Sequence, residues 1–141
     1  MSAAHAVSIA VTFTWLGMVL AISFLEAPLK FRAPGVTVPL GLGIGRLVFR
    51  ALNATEVVWS ALLVAGLLFD GPPTRVVVAG AAAVAVLVVQ LVGVRPRLTR
   101  RTDRVLAGED SPRSHAHYIY IGLEIVKVIA LLVTGILLLG V

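Results

Sequence analysis

Four long apolar stretches dominate this chain, at residues 7–27, 47–69, 75–94 and 118–141. A helix needs about 20 mostly apolar residues to cross the hydrocarbon core of a bilayer. The stretches are continuously apolar, whereas the strands of membrane barrels alternate apolar and polar residues over short segments. The sequence therefore predicts an all-α membrane protein in which residues 1–141 form one domain, a four-transmembrane-helix bundle.

The composition excludes most soluble classes of protein. Hydrophobic residues make up 59% of the 141 residues and charged residues 13%, against about 45–50% and about 25% in soluble domains. A soluble fold of this size could not bury that excess, because small folds leave much of their surface exposed. The sequence has no cysteine, which excludes disulfides, Cys-ligated metals and thiol catalysis. A soluble enzyme, a disordered regulator and a nucleic-acid-binding module are therefore poor interpretations.

The basic residues are concentrated in two of the three connections between spans. Ten of the twelve Lys and Arg residues lie there: Lys30, Arg32, Arg46, Arg50, Arg95, Arg97, Arg100, Arg101, Arg104 and Arg113. Because cytoplasmic loops carry an excess of Lys and Arg, this distribution predicts both long loops inside and both termini outside, in a multi-pass protein of the plasma (inner) membrane. The net charge of +5 then indicates contact of these loops with anionic lipid rather than with nucleic acid.

Prolines and glycines predict where the spans end. Pro28 is expected to close the first helix, since a proline cannot continue the hydrogen-bond ladder, and Pro96 lies in the basic run expected to end the third. Residues 70–73 predict a tight turn. Residues 33–45 include two prolines and several glycines but are mostly apolar. They predict a loop that lies at the membrane interface or dips back against the bundle.

Polar side chains recur at helical spacing within the spans. On the last span they are separated by intervals of three, four and three residues, so that they share one helix face. Charges inside a membrane are costly and usually face the interior of the bundle. The third span contributes only Gln90. The predicted buried polar cluster, a candidate ligand or proton site, comprises Glu26, Arg50, Asn53, Glu56, His117, Tyr120, Glu124 and Lys127.

This cluster has two interpretations. Glu124 and Lys127 are three residues apart and can pair on one helix, so the charges can form a scaffold that fixes helix register. Intramembrane ionisable groups also mark ion and substrate pathways, which makes the cluster a candidate solute or proton site. We favour the scaffold.

The sequence predicts no bound cofactor, no metal and no catalytic residue. The three histidines lie at opposite ends of the spans, so one chain cannot supply an opposed axial pair for haem. A metal ion bound through the oxygens of Glu26, Glu56 and Glu124 would have to compete with Arg50 and Lys127 for these carboxylates. Ser114, His115 and Asp110 are residue types that hydrolases use, but they lack a nucleophile elbow.

Several sequence features occur in the same order along this chain as in one family of proteins. They are the segment from Trp15 to Pro28 with the following Phe31 and Arg32, Leu47 to Phe49 at the start of the second span, Arg95 to Arg97 after the third, and His117 before the fourth. The chain resembles the family of four-helix membrane proteins that includes the animal transmembrane protein linked to cisplatin resistance. The resemblance implies a four-helix membrane fold and a role in solute or drug tolerance. Glu56 and the pair Glu124 and Lys127 depart from that family's pattern.

The sequence predicts a small non-enzymatic membrane protein that handles a small solute or proton or serves as a subunit of a membrane assembly. The nearly featureless third span is suited to being covered by lipid, by a second copy of the chain in a homo-oligomer, or by a partner subunit. The alternative is a membrane enzyme that acts on a lipid or quinone at the buried polar cluster.

Overall fold

The computed structural model of the chain describes residues 1–113 and 115–141. Four long helices account for most of these residues, and the described part of the chain contains no strand. The helices are α1 (Ala3–Arg32), α2 (Val38–Asp70), α3 (Thr74–Leu106) and α4 (His115–Leu139). All four are long and apolar enough to cross a membrane, which confirms the predicted all-helical bundle of candidate transmembrane helices.

Local sequence sets the ends of α1 and α2. The Ser2 side chain caps α1 by accepting the backbone N–H of His5 at 3.1 Å, and Thr37 caps α2 in the same way. Gly71 ends α2 with a φ of +61°, a left-handed conformation that glycine adopts easily because it has no Cβ. Since α3 starts at Thr74, the predicted tight turn at residues 70–73 is confirmed.

The predicted loop at residues 33–45 is wrong over its second half, because α2 begins at Val38. Pro39 lies in the first turn of α2, where a missing backbone N–H breaks no helical hydrogen bond. Gly41 faces the ring of Phe31 so closely that a Cβ would overlap it. The connection from α1 therefore shortens to residues 33–37.

Pro28 and Pro96 do not end their helices, contrary to the prediction. Each proline follows a π-helical segment by two residues. The two segments are Leu20–Glu26 in α1 and Gln90–Val94 in α3. In the first, the N–H of Ala27 donates to the carbonyl of Ile22, five residues back instead of four. The widened turn places each proline in the first turn of a new helical segment, where its missing N–H is tolerated, so both helices continue.

The apolar core lies in the half of the bundle that holds the two termini. There α1 packs against α2 and α4, while α3 packs mainly against α4. The buried apolar side chains include Trp15, Val19, Leu63, Val76, Leu131 and Leu138. Ser8 contacts Gly66, and the ring of Phe13 lies on Gly135, so small residues let the helices approach closely.

The bundle opens toward its opposite end, which we call the basic end because ten of the twelve Lys and Arg residues lie toward it. The first part of α1, Ala3–Val19, has seven buried residues. The remainder, from Leu20 to Arg32, has none. At this end Arg46 of α2 pairs with Asp103 of α3. The helices are thus joined near the basic end but leave space between them.

Candidate functional site

A buried, ion-paired lysine lies inside the bundle. The side chain of Lys127 has no exposed surface. Its Nζ lies 2.5 Å from Glu56 Oε2 and 2.6 Å from Glu124 Oε1, and 2.8 Å from Gln90 Oε1. An ammonium group carries three hydrogen-bond donors. Lys127 therefore has one acceptor for each donor, supplied by three different helices.

Both carboxylate oxygens of Glu56 accept hydrogen bonds. The indole N–H of Trp15 donates to Oε2 at 2.8 Å, and Asn53 Nδ2 donates to Oε1 at 3.1 Å. Asn53 Oδ1 in turn accepts from Arg95 Nε at 3.1 Å. Glu56 of α2 is thereby connected to α1, α3 and α4.

Glu124 has a similar set of partners. Gln90 Nε2 donates to Oε1 at 3.2 Å, and the Ser23 hydroxyl donates to Oε2 at 2.7 Å. Gln90 therefore accepts from Lys127 through its amide oxygen and donates to Glu124 through its amide nitrogen. Gln90 of α3 therefore forms hydrogen bonds with both charged groups, Lys127 and Glu124.

These side chains form one connected set that we call the buried network. Its members are Trp15, Ser23, Asn53, Glu56, Gln90, Tyr120, Glu124 and Lys127. Removing a charge from water costs several kcal/mol unless the charge is paired and hydrogen-bonded, and apolar residues give little preference for one helix packing over another in lipid. The matched donors and acceptors therefore fix the rotation and depth of all four helices.

A cavity of about 590 Å³ lies between the buried network and the basic end. Its volume is within the range of small-molecule sites, about 300–1,000 Å³. All four helices line it, and its walls include the rings of Phe24, Phe31 and Phe49. Asn53 and Glu124 reach it from the buried network, so the network forms one boundary of the cavity.

The charged groups that line this cavity are mostly basic. Glu124, already hydrogen-bonded, is the one carboxylate among the lining residues that the structure describes, and His117 also lines the wall. The six Lys and Arg residues are Lys30, Arg46, Arg50, Arg95, Arg101 and Arg113. Positive charge therefore dominates the interior, and we call this space the basic cavity.

Arg95 lies where the basic cavity meets the buried network. Its guanidinium carbon is 4.5 Å from the centroid of the Tyr120 ring and 5.0 Å from that of Phe49, distances at which cation–π attraction is favourable. Its Nε binds Asn53, but its Nη2 is buried and finds no acceptor among the described residues. A buried donor without an acceptor costs about 1–3 kcal/mol. Arg95 therefore retains the capacity to bind an anion.

Two further cations of the basic cavity are only partly neutralised. Lys30 Nζ lies 3.8 Å from Glu26 Oε2 and 5.5 Å from the centroid of the Phe31 ring. Arg46 pairs with Asp103 through one terminal nitrogen, while its Nε is buried and has no acceptor in the described part of the chain.

The structure assembles five of the eight residues of the predicted polar cluster into the buried network: Asn53, Glu56, Tyr120, Glu124 and Lys127. The predicted pairing of Glu124 with Lys127 is present. The other three residues lie elsewhere, with Glu26 beside Lys30 and with Arg50 and His117 on the cavity wall. Among the described residues, no group of three His, Asp or Glu side chains is arranged to hold a metal ion.

The predicted cluster does not include Trp15, Ser23 and Gln90 of the buried network or Arg95 beside it. It also lacks four other cations of the basic cavity: Lys30, Arg46, Arg101 and Arg113. Trp15 and Ser23 share one polar face of α1 with Glu26, so helical spacing could have included them. Gln90 was visible as the lone polar residue of its span. Arg95 carried no such signal, because its position next to a span agrees equally with a charge at the membrane surface.

No family model, curated protein or solved structure matches this chain.

Proposed function

We propose that this chain is a non-enzymatic, multi-pass protein of the plasma membrane that binds a small organic anion in the basic cavity. The observation that carries the proposal is a cavity of about 590 Å³ lined by six Lys and Arg side chains and one hydrogen-bonded carboxylate. The sequence and the family resemblance predict that the protein handles a solute. The basic cavity is the candidate site for that solute, and its charge favours an anion.

The charge balance favours an anion over a cation or a proton. The six basic groups of the cavity and Lys127 face four carboxylates that pair with them, those of Glu26, Glu56, Asp103 and Glu124. Seven positive groups against four negative groups leave three positive charges in excess. Low-dielectric walls strengthen the attraction of such a site for negative charge.

The shape and chemistry of the walls favour an organic anion. Five of the six cations are arginines, whose planar forks match carboxylate and phosphate groups. Phe24, Leu91 and Ile121 supply apolar wall beside them, as is usual in small-molecule sites. A ligand with a charged group and an apolar part therefore fits better than a bare inorganic ion.

The buried network supports this site as a scaffold. Its lysine and both of its carboxylates already have partners within the protein, which favours structural ion pairs over a proton pathway. If both termini lie outside, as the distribution of basic residues predicts, the basic cavity opens toward the cytoplasm and takes its ligand from that side.

Binding of small aromatic ions to the purified protein tests this proposal. The protein is reconstituted in nanodiscs of phosphatidylcholine and titrated calorimetrically with phenyl phosphate, with benzoate, and with benzyltrimethylammonium as the cationic counterpart. We expect both anions to bind and to raise the melting temperature, because a ligand that binds only the folded state stabilises it. Equal binding of the cation would contradict the proposal.

Charge-removing variants assign the binding to the cavity. Arg50 and Arg113 are exposed and lie outside the buried network, so Arg50→Gln combined with Arg113→Gln leaves the scaffold intact. We expect this double variant to bind phenyl phosphate roughly tenfold more weakly, the order of effect that charged hydrogen bonds have. Arg75→Gln, an exposed position at the opposite end, is the matched control and should bind normally. Equal affinity of all three proteins would contradict the assignment.

A further inference from the structure

The chemistry of the basic cavity changes along its length. Toward the basic end its walls carry Lys30, Arg46, Arg101 and Arg113, and toward the buried network they carry Phe24, Leu91 and Ile121. On α1, Lys30 and Phe24 are six positions apart, which corresponds to roughly 9 Å along the helix axis. The wall therefore changes from mostly cationic at the basic end to mostly apolar toward the buried network, where Arg95 is the remaining cation.

The apolar part of the cavity is not sealed on the side of α1. The segment of α1 that lines it, Leu20 to Arg32, has no buried residue. Phe24 and Ile121 line the cavity and are nevertheless 37% and 38% exposed. In a membrane, the surroundings of the bundle at this level are lipid chains. A ligand bound to the arginines can therefore extend an apolar chain out of the bundle beside α1.

We infer that the basic cavity binds a membrane lipid whose head group is a phosphate monoester. The phosphate lies among the arginines between Arg46 and Arg95, and the acyl chains leave past Phe24 and Ile121. This inference rests on the proposed function, since it specifies which organic anion the cavity takes. The charged head group of such a lipid would contact the cationic part of the wall, and its acyl chains would contact the apolar part.

The supply of unmatched donors favours a monoester over other anionic head groups. Arg95 Nη2 and Arg46 Nε are buried and without acceptors among the described residues. A phosphate monoester presents three acceptor oxygens and a charge of about −1.5 to −2 near pH 7. A diester such as phosphatidylglycerol presents two free phosphate oxygens and a single negative charge. The monoester can therefore match more guanidinium groups and more of the three excess positive charges.

Native mass spectrometry of the full chain, released from nanodiscs, tests this inference. The discs contain phosphatidylcholine with a minor, equal fraction of phosphatidate, phosphatidylserine or phosphatidylglycerol. We expect phosphatidate to be retained roughly tenfold more than the two diester lipids, as an additional charged hydrogen bond provides. The variant with both Arg50→Gln and Arg113→Gln should lose most of this preference, and Arg75→Gln should keep it.

A tail-free ligand separates a lipid from a soluble phosphate ester. Glycerol 3-phosphate carries the same phosphate monoester without acyl chains, and we expect it to bind roughly tenfold or more weakly than phosphatidate, because the apolar contacts are missing. Equal affinity of the two would overturn the lipid assignment. Equal retention of phosphatidate and phosphatidylglycerol would also overturn it, because the phosphate monoester would then have no advantage over a diester.

The test also distinguishes failure of this inference from failure of the proposed function. If phenyl phosphate binds and phosphatidate shows no preference, the inference is wrong while organic-anion binding stands. If neither phosphate compound binds and benzoate does not bind, both are wrong.

Discussion

Gln90 Oε1 accepts a hydrogen bond from Lys127 Nζ at 2.8 Å, and both side chains are fully buried. Gln90 is the only polar residue between Val76 and Val94, in a helix whose other side chains there could face lipid or protein equally well. Apolar residues give little preference between lipid and another helix in a membrane. This contact, together with the hydrogen bond from Gln90 to Glu124, therefore gives α3 a specific orientation against α4.

Replacement of Gln90 by leucine should destabilise the bundle. Gln90→Leu removes an acceptor from Lys127 and a donor from Glu124, and a buried polar group left unmatched costs about 1–3 kcal/mol. We expect a loss of about 2 kcal/mol or more in the free energy of unfolding, measured by denaturant titration in detergent. Val89→Leu, at the neighbouring position that is 51% exposed, is the control. Equal stability of the two variants would show that Gln90 does not orient α3.

Replacement of Lys127 alone should lower the stability of the bundle more than replacement of Lys127, Glu56 and Glu124 together. Lys127→Met leaves the buried carboxylates of Glu56 and Glu124 without their shared cation, and breaking a buried pair in this way costs about 3–5 kcal/mol. The triple variant that adds Glu56→Gln and Glu124→Gln is neutral and of similar volume, so we expect it to recover most of that loss. The melting temperatures of the single and triple variants in detergent measure the difference. A triple variant less stable than Lys127→Met would refute the ion-pair account of the buried network.

The two tryptophans, Trp15 and Trp59, allow a hydrogen bond inside the buried network to be compared with one outside it. Trp15 is fully buried and donates to Glu56 at 2.8 Å, whereas Trp59 is half-buried and points its N–H at Met18 Sδ at 3.2 Å, a weak acceptor. Hydrogen bonds to charged groups contribute about 1.5–3 kcal/mol. We therefore expect Trp15→Phe to lower the free energy of unfolding by about 2 kcal/mol and Trp59→Phe by clearly less. The opposite order would contradict the role given to Trp15.

The helices could be predicted from the sequence because their signal is local. Continuous apolar runs of transmembrane length determine the number of helices, and the three-residue spacing of Glu124 and Lys127 predicts their pairing. The prediction that Pro28 and Pro96 end their helices is wrong because the π-helical segments before them allow each helix to continue. Those segments add one residue to a turn and leave no mark in the apolar pattern.

The basic cavity could not be predicted because it depends on tertiary packing. Arg95 looks like one more charge of a basic loop, and its place between Phe49 and Tyr120 becomes visible only once α3 continues past Pro96. The cavity exists because the second half of α1 is not packed into the core, although residues 20–25 at its start are as apolar as the packed half. Periodicity identifies polar faces but does not say where helices separate.

The orientation of the protein can be tested with single cysteines, since the sequence contains none. Ala33→Cys lies in the connection between α1 and α2, Asp110→Cys lies between α3 and α4, and Pro73→Cys lies between α2 and α3, all at exposed positions. The excess of basic residues flanking the first two connections predicts that they are cytoplasmic.

We therefore expect a membrane-impermeant maleimide to label Pro73→Cys on intact cells and to label the other two variants only after the membrane is permeabilised. Labelling of all three in detergent shows that each thiol is reactive. Labelling of Ala33→Cys and Asp110→Cys on intact cells, with Pro73→Cys protected, would reverse the orientation. The arginines of the basic cavity would then lie at the outer surface, and its anion would have to come from outside the cell or from the outer leaflet.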